Sequence, residues 1–435
     1  MDWFSLSLQL NKFPINRAIR ALEEIKKISK EDYHGYIEEK KQEIVRYHLK
    51  NNAFYRNFFG NKKFDQWEDV PIMTKSDLQR PLKERLSRNF SLKRIYLGKT
   101  SGSSGQPFIF AKDRFCHALS WAEFIDRYKW YGIDLNKSLQ ARFYGIPLDR
   151  IGYFRERIKD RFGYRYRFPI FNLNELKMNE FLLDFQNKKF DYINGYTSSI
   201  VLFAKFLQKK NICLKDICPT LKLCIVTSEM FFEADKLLLE KQLGVPVINE
   251  YGASELGLLA FKDRQDNWIL NSETMFVEVV NEQGKILAPG EEGRIVITSL
   301  YNKAHPFIRY EIGDTGTMAE NSCSKKPVLK QLLGRTNDVA MLPSGKVVPG
   351  LTFYYVTKSI IEDDGQVKEF IVKQTAPEKF RIIYVAERPL SAEKLTKIKK
   401  AMATYLESGL QVDFQHEKTL SRSKRGKLKQ FESLF

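Results

Sequence analysis

Three stretches of this chain limit its fold more than any other feature: "FDYINGYTSSIVLFAKFLQKK" (190–210), "LKLCIVTSEM" (221–230) and "VPVINEYGASELG" (245–257). Each begins with a short run rich in β-branched and aromatic residues and turns into polar or glycine-bearing residues. Helical patterns such as "FFEADKLLLEKQL" (231–243) stand between them. Short strands that alternate with helices predict an α/β fold with a mainly parallel sheet. In such sheets ligands gather where strands run out into loops, which points to "TSEM" and "EYGASE".

The rest of the chain is organised around that sheet. Residues 15–60 place Ile19, Leu22, Ile25 and Ile28 three apart and read as surface helices. Between 272 and 334 the texture changes to strands and tight turns ("TMFVEVV", "NEQGKILAPGEEG", "RIVITSL"), a β-rich subdomain. Residues 367–415 run strand, turn, strand, helix, strand, with Leu395, Ile398 and Met402 on one helix face. The glycine- and proline-bearing "LLGRTNDVAMLPSGKVVPG" precedes them as a linker. We therefore expect a large N-terminal domain, 1–334, with its β-rich subdomain at 272–334, and a small mobile α+β domain, 335–435, hinged near Asp338.

Composition removes several classes. A chain of 435 residues, 43% hydrophobic, can bury a full core and need not be disordered. No stretch approaches the ~20 uncharged apolar residues needed to cross a bilayer, and "MDWFSLSLQLNKF" lacks the basic start of a secretory signal, so a cytoplasmic protein is expected. Five cysteines are too loosely spaced for a zinc knuckle and read as reduced, buried thiols; the five histidines show no ligand spacing. The formal charge of +18 attracts nucleic acid, anionic lipid or anionic small molecules. In "YFRERIKDRFGYRYRF" (153–168) bases interleave with aromatics, which reads as a solvated helix face snorkelling over a core, or as an anionic-lipid contact.

The chemistry sits in five separated segments. "YLGKTSGSSGQPFIF" (96–110) interrupts two alternating strand patterns with Thr100, Ser101, Gly102, Ser103, Ser104 and Gly105. Gly102 and Gly105 lack the spacing and the lysine of a Walker loop, yet glycines that open backbone N–H groups and four hydroxyl donors can form an anion nest. "NEYGASELG" sets Tyr251, Ser254 and Glu255 within a few residues, so that a purine can stack on the ring while the carboxylate holds a hard cation such as Mg2+. Asp314, in "HPFIRYEIGDTG", suits a ribose diol, whose hydroxyls donate to a carboxylate. "LLGRTND" adds Arg335 and Asp338, and the basic "SRSKRGKLKQF" offers a lysine to neutralise charge on a phosphoryl group.

In this order the motifs resemble the adenylate-forming superfamily of acyl- and aryl-CoA synthetases over about residues 70–430, in particular its phenylacetate-CoA ligase-like branch with the CapK-type proteins of capsule and exopolysaccharide gene clusters. The resemblance implies that Thr100–Gly105 hold the β- and γ-phosphates of ATP and that Thr227, Ser228 and Glu229 lie beside adenine. It implies that Tyr251, with Gly252 and Ala253, stacks on adenine, that Ser254 touches the α-phosphate and that Glu255 binds Mg2+. Asp314 and Arg335 would bind the ribose, Asp338 would be the hinge and Lys427 the catalytic lysine, while Tyr144, Tyr196, Ala253 and Gly257 would line the acid pocket. Gln106 stands where the family commonly has lysine, which passes that charge to Lys99 or Arg309.

The implied reaction is ATP-dependent activation of a small carboxylic acid to an acyl-adenylate with release of pyrophosphate, then acyl transfer to CoA. An amine acceptor such as an amino sugar in polysaccharide biosynthesis, or a nucleotidyl transfer, stands as the alternative. A basic protein that only binds nucleic acid or a membrane surface is the remote one. No nucleic-acid partner is expected; contact of the basic surface with the inner membrane face is the further partner in view.

Overall fold

Residues Ile95–Lys99 (β1) and Ile109–Asp113 (β2) pair antiparallel, from Ile95 opposite Asp113 to Lys99 opposite Ile109, so the serine- and glycine-rich segment does connect two strands. The computed structural model describes the chain apart from residues 1–2, 62–63, 100–108, 147–149, 171–172, 174, 229–230, 232, 334–338, 350–366, 387, 419, 421–430 and 435. The described residues form two compact units, one from 1–99, 108–138 and 248–335, the other from 139–247 and 336–435.

The first unit opens with helices α1 (Trp3–Leu10), α2 (Ile15–Lys27), α3 (Tyr33–Asn51), α4 (Ala53–Phe59) and α5 (Leu82–Arg85). On α2 the buried residues are Ile15, Ala18, Leu22 and Ile25, three or four apart, so one face of this surface helix is apolar; of the four residues expected from sequence, Leu22 and Ile25 are buried and Ile19 and Ile28 half-buried. After β2, helix α6 (Arg114–Lys129) starts where Asp113 accepts hydrogen bonds from the backbone N–H groups of Phe115 and Cys116. The unit's sheet has seven strands: β7 (Val247–Ala253), β8 (Gly257–Lys262), β9 (Trp268–Leu270), β10 (Met275–Val280), β11 (Glu292–Ser299), β12 (Tyr310–Met318) and β13 (Val328–Leu333). They lie in the order β10-β11-β12-β13-β9-β8-β7, each pair antiparallel. Ile295, Ile297, Ile308, Leu259 and Leu270 fill the core behind them.

The second unit holds the parallel sheet. Strands β3 (Gln140–Phe143), β4 (Arg165–Phe168), β5 (Tyr192–Tyr196) and β6 (Leu223–Thr227) lie in the order β6-β5-β3-β4, and β3 pairs parallel with β4 and β5 as β5 does with β6. Helices α7 (Arg150–Phe162), α8 (Glu175–Asn187), α9 (Thr197–Lys209), α10 (Leu214–Ile217) and α11 (Glu233–Leu243) connect them or follow them. Side chains alternate across a strand. Phe143, Phe168 and Ile193 share a core with Phe181 and Phe185 of α8 and Phe203 of α9. Gln140, Arg165, Arg167 and Asn194 take the alternate positions and are polar, and α7 meets Arg165 and Arg167 through Asp160 and Glu156. This corrects the expectation that the helical part of the basic segment snorkels over a core: Phe154, Ile158 and Phe162 of α7 point outward, while Phe168 of β4 is buried.

The described remainder of this unit has β14 (Val339–Met341), β15 (Val347–Pro349), β16 (Val367–Ala376), β17 (Lys379–Ala386), α12 (Ala392–Tyr405), β18 (Gln411–Glu417) and β19 (Phe431–Ser433). Four of these strands form a sheet in the order β18-β17-β16-β19, and Ile398 and Met402 of α12 are buried beside Phe370 and Ile382, with Leu395 against the same core. The α/β class, the β-rich stretch and the terminal α+β pattern match the sequence reading. Parallel pairs occur among β3–β6 and again in the terminal sheet, between β17 and β18 and between β16 and β19, while the Tyr-Gly strand β7 pairs antiparallel with β8. All five cysteines are unbridged thiols: Cys116, Cys218 and Cys224 are buried, Cys213 and Cys323 half-buried.

Candidate functional site

The Tyr-Gly motif is a hairpin. β7 ends at Ala253, Ser254 to Leu256 turn, and β8 returns with Gly257 opposite Ala253 and Leu258 opposite Gly252. Leu256 N–H closes the turn on the Ala253 carbonyl at 3.1 Å. The register shifts between Tyr251 and Gly252, a bulge that re-aims the residues after it. Gly257 has φ of 108°, and a Cβ there would stand 3.1 Å from Ser120 Oγ, so both backbone and space call for glycine. Ser254 is exposed at the tip, whereas Glu255 is buried.

Strand β12 supplies the other half. Its Tyr310 hydroxyl donates to Glu255 Oε1 at 3.0 Å, and its Asp314 accepts from the Tyr251 hydroxyl through Oδ2 at 2.8 Å. Tyr310 and Asp314 stand on either side of an irregularity in β12, where the register against β11 shifts between Glu311 and Thr315, and Tyr251 and Glu255 stand on either side of the hairpin turn. Two segments thus meet in two crossed hydrogen bonds that bring a ring, a glutamate and an aspartate together. The Tyr251 ring also meets Trp268 of β9 edge-on at 6.4 Å between centroids.

Behind the turn lies a buried cation. Lys112, the next-to-last residue of β2, donates from Nζ to the Leu256 carbonyl at 2.7 Å and to Ser120 Oγ at 3.2 Å. Burial pulls its ammonium below the usual lysine range, while Cys116, Glu123, Glu255 and Asp113 act in the opposite sense. Glu123 on α6 accepts from the Thr274 hydroxyl, and burial raises its carboxyl to about 8. Further along the strand, Tyr128 of α6 donates to Glu250 at 2.8 Å. The motif strand is therefore fixed from α6 and β2.

Of the residues the sequence singles out, the first unit joins Tyr251, Gly252, Ala253, Ser254, Glu255 and Gly257 with Asp314. Thr227, buried at the end of β6, and the exposed Ser228, whose φ is 70°, belong to the second unit. So do Tyr144 and Tyr196, whose ring centroids are 4.6 Å apart and whose Tyr144 face carries the Arg142 guanidinium at 3.9 Å. Thr100, Ser101, Gly102, Ser103, Ser104, Gly105, Glu229, Arg335, Asp338 and Lys427 lie outside the described residues. Arg309, one of two bases expected to replace the loop lysine, is engaged elsewhere: it is buried, reaches Glu278 at 3.1 Å and donates to the carbonyls of Glu68, Val70 and Gly284. Lys99 keeps that expectation.

Tyr310 and Lys112 were not anticipated from sequence. Tyr310 had a readable signal, since it stands in the motif that contains Asp314. Among the described residues no cluster of three or more His, Cys, Asp or Glu is arranged to hold a metal ion. A lone buried carboxylate fits Mg2+, which commonly takes one or two protein carboxylates and completes its shell with substrate phosphates and water.

No model of a protein family matches the chain. Protein CapK of Staphylococcus aureus is 23% identical over 356 residues, 76% of this chain and 74% of its own length. The phenylacetate-coenzyme A ligase of Escherichia coli is 25% identical over 135 residues, 30% of this chain and 31% of the ligase. Among solved structures, 2-hydroxyisobutyryl-CoA ligase in complex with 2-HIB-AMP and CoA superposes with a TM-score of 0.61 at 16% identity, over 94% of this chain and 91% of that one. The chain is thus a homologue of CapK and of the phenylacetate-CoA ligases, with the fold of the acyl-CoA ligases that form adenylates.

Proposed function

We propose that this protein is an AMP-forming carboxylate ligase: it joins a carboxylic acid to ATP as an acyl-adenylate, releases pyrophosphate, and passes the acyl group to the thiol of CoA. The observation that carries this reading is the crossed pair Tyr251–Asp314 and Tyr310–Glu255, which gathers an aromatic face and two carboxylates on the fold of acyl-CoA ligases. In the first step a carboxylate oxygen attacks the α-phosphorus and the bond to pyrophosphate breaks. In the second, the thiol attacks the acyl carbon, loses its proton, and AMP leaves.

Both reactants of the first step are anions, so the site must suppress their repulsion before it can help the transition state. Tyr251 offers its ring to adenine and Asp314 accepts from the ribose hydroxyls. Ser254, at the exposed tip, donates to the α-phosphate. Glu255 would hold Mg2+, which when bound offsets phosphate charge as a Lewis acid. Thr100–Gly105 grip the β- and γ-phosphates through amides and hydroxyls, with Lys99 beside them. Thr227 to Glu229 border adenine, Arg335 adds a ribose contact, and Lys427 neutralises charge on the phosphoryl oxygens. Tyr144, Tyr196 and Gly257 line the acid pocket in this reading. Residues 335–435 act as a lid that turns about Asp338 between the two steps.

A second acceptor stands beside CoA in this reading. The alignment with Protein CapK covers 76% of this chain, against 30% for the phenylacetate ligase of Escherichia coli; CapK's name specifies no acceptor, and an amine such as an amino sugar in polysaccharide biosynthesis is our alternative to CoA. The setting this reading implies is the cytoplasm, beside the inner membrane face where such an acceptor would be modified.

A panel of aryl and medium-chain acids, assayed for pyrophosphate release with ATP and Mg2+, tests the reading. Release that depends on the acid and disappears in Lys427→Ala supports it; release without acid, or none with any acid, contradicts it. Thioester formation with CoA then selects the first acceptor, and product formation only with an added amine selects the second.

A further inference from the structure

Helix α7 is turned inside out for a helix on a protein surface. Ile151, Phe154 and Ile158, three and four apart on one face, are 74%, 66% and 41% exposed, and Phe162 extends the same line. The opposite face carries the acids. Asp160 is buried and accepts from Arg165 Nε at 2.7 Å and Arg167 Nε at 2.9 Å, while Glu156 accepts from Arg167 Nη2 at 2.7 Å. Arg167 also donates to the Gly145 carbonyl at 2.8 Å, and Arg157 to the Arg167 carbonyl at 3.2 Å. Ion pairs hold the helix to the sheet, and its greasy face looks outward.

The rim of that face is basic. Arg150 and Arg161 border one side and Arg155 and Lys159 the other, all exposed, on a chain of net charge +18. A partner that needed only hydrophobic contact would not call for an arginine rim, and a nucleic-acid backbone would not call for isoleucine and phenylalanine between the arginines. The surface that offers both chemistries at the required depth is a bilayer of anionic phospholipid, with acyl chains beneath a layer of negative headgroups. A 13-residue helix is ~20 Å long, so it lies along such a surface rather than across it. No helix among the described residues is long and apolar enough to span.

We propose that α7 is an interfacial membrane-binding helix, seating Ile151, Phe154 and Ile158 below the headgroups of an anionic leaflet while Arg150, Arg155, Lys159 and Arg161 pair with the phosphates. The inference stands independently of the adenylation reading, because lipid binding and pyrophosphate release are separate measurements on the same protein. It gives the implied membrane setting a physical anchor.

The test is co-sedimentation of the full-length protein with vesicles of phosphatidylcholine alone and of phosphatidylcholine mixed with phosphatidylglycerol. The wild type binds the mixed vesicles, at least roughly tenfold more weakly at high salt, and leaves the neutral ones in solution. Phe154→Ser with Ile158→Ser, and separately Arg155→Gln with Arg161→Gln, each weaken binding about tenfold while thermal unfolding and vesicle-free pyrophosphate release stay unchanged. Phe154→Trp reports directly: its added emission shifts to the blue on mixed vesicles. Three results would overturn the proposal: no wild-type binding, serine variants that bind as well as the wild type, or a wild-type dimer that the serine variants dissociate, which would make this face a contact between copies of the chain.

Discussion

Glu255 is held by residues that the motif around it does not contain. Tyr310 reaches it from 55 positions away, and Lys112 fixes the carbonyl of the next residue from 144 positions before. If Glu255 binds Mg2+, Tyr310→Phe removes a donor that orients its carboxylate, and the Mg2+ concentration for half-maximal pyrophosphate release rises roughly tenfold while the KM for the acid stays put. Titrating Mg2+ against a fixed acid checks this. Lys112→Met keeps the bulk but leaves the Leu256 carbonyl without that donor, so kcat falls at least about tenfold through a displaced turn. Tyr251, Glu255 and Asp314 could be singled out from sequence because each stands in a short motif, and the structure brings them together. Lys112 could not, because nothing local distinguishes a buried lysine late in a strand from one that ends in water.

The pairing of α7 with β4 shows where element-scale reading stops. The mixture of bases and aromatics in 153–168 was plain, and a surface helix follows from it. Which face meets the protein does not, because periodicity fixes only that the apolar residues share a side. The neighbouring strand decides: Arg165 and Arg167 sit on the face of the sheet that α7 meets, and they select Asp160 and Glu156. Asp160→Ala leaves both guanidiniums without their buried acceptor and costs roughly 3–5 kcal/mol. Hydrogen exchange in α7 and β4 should accelerate accordingly. Phe154→Ser, on the exposed face, changes stability by less than about 0.5 kcal/mol.

At the scale of the molecule, acid should weaken the first unit through histidines buried in neutral form. His48 donates from Nε2 to the Asn302 carbonyl at 2.9 Å and takes the Ser87 hydroxyl on Nδ1 at 3.3 Å; burial lowers it to about 4. Burial and the Arg85 guanidinium also push His305 well below its ordinary value. The unfolded chain binds these protons near pH 6.5 and the folded one does not. Each histidine's contribution is therefore complete above about pH 6.5 and declines as pH falls toward the folded value, by roughly 2 kcal/mol between pH 7 and 5 for His48. Urea unfolding at the two pH values should show a loss smaller by about that amount in His48→Gln, which keeps an N–H donor.

The α/β class was legible at this scale because alternating strand and helix patterns are local. The antiparallel pairing of the motif strand was not, because β7 and β8 differ from a strand–helix step only by the tight turn at 254–256. The chain's basic charge gave a sign, and 153–168 gave it an address, but only the fold shows which face of α7 is exposed.

The central claim is that Tyr251, Glu255 and Asp314 serve one bound nucleotide at which a carboxylate is activated. ATP–pyrophosphate exchange tests it most directly, measured with and without acid in the wild type and in Glu255→Gln. The account predicts exchange that requires the acid and falls at least about a hundredfold in the variant. Exchange that proceeds equally without acid, or that survives intact in Glu255→Gln, would contradict it.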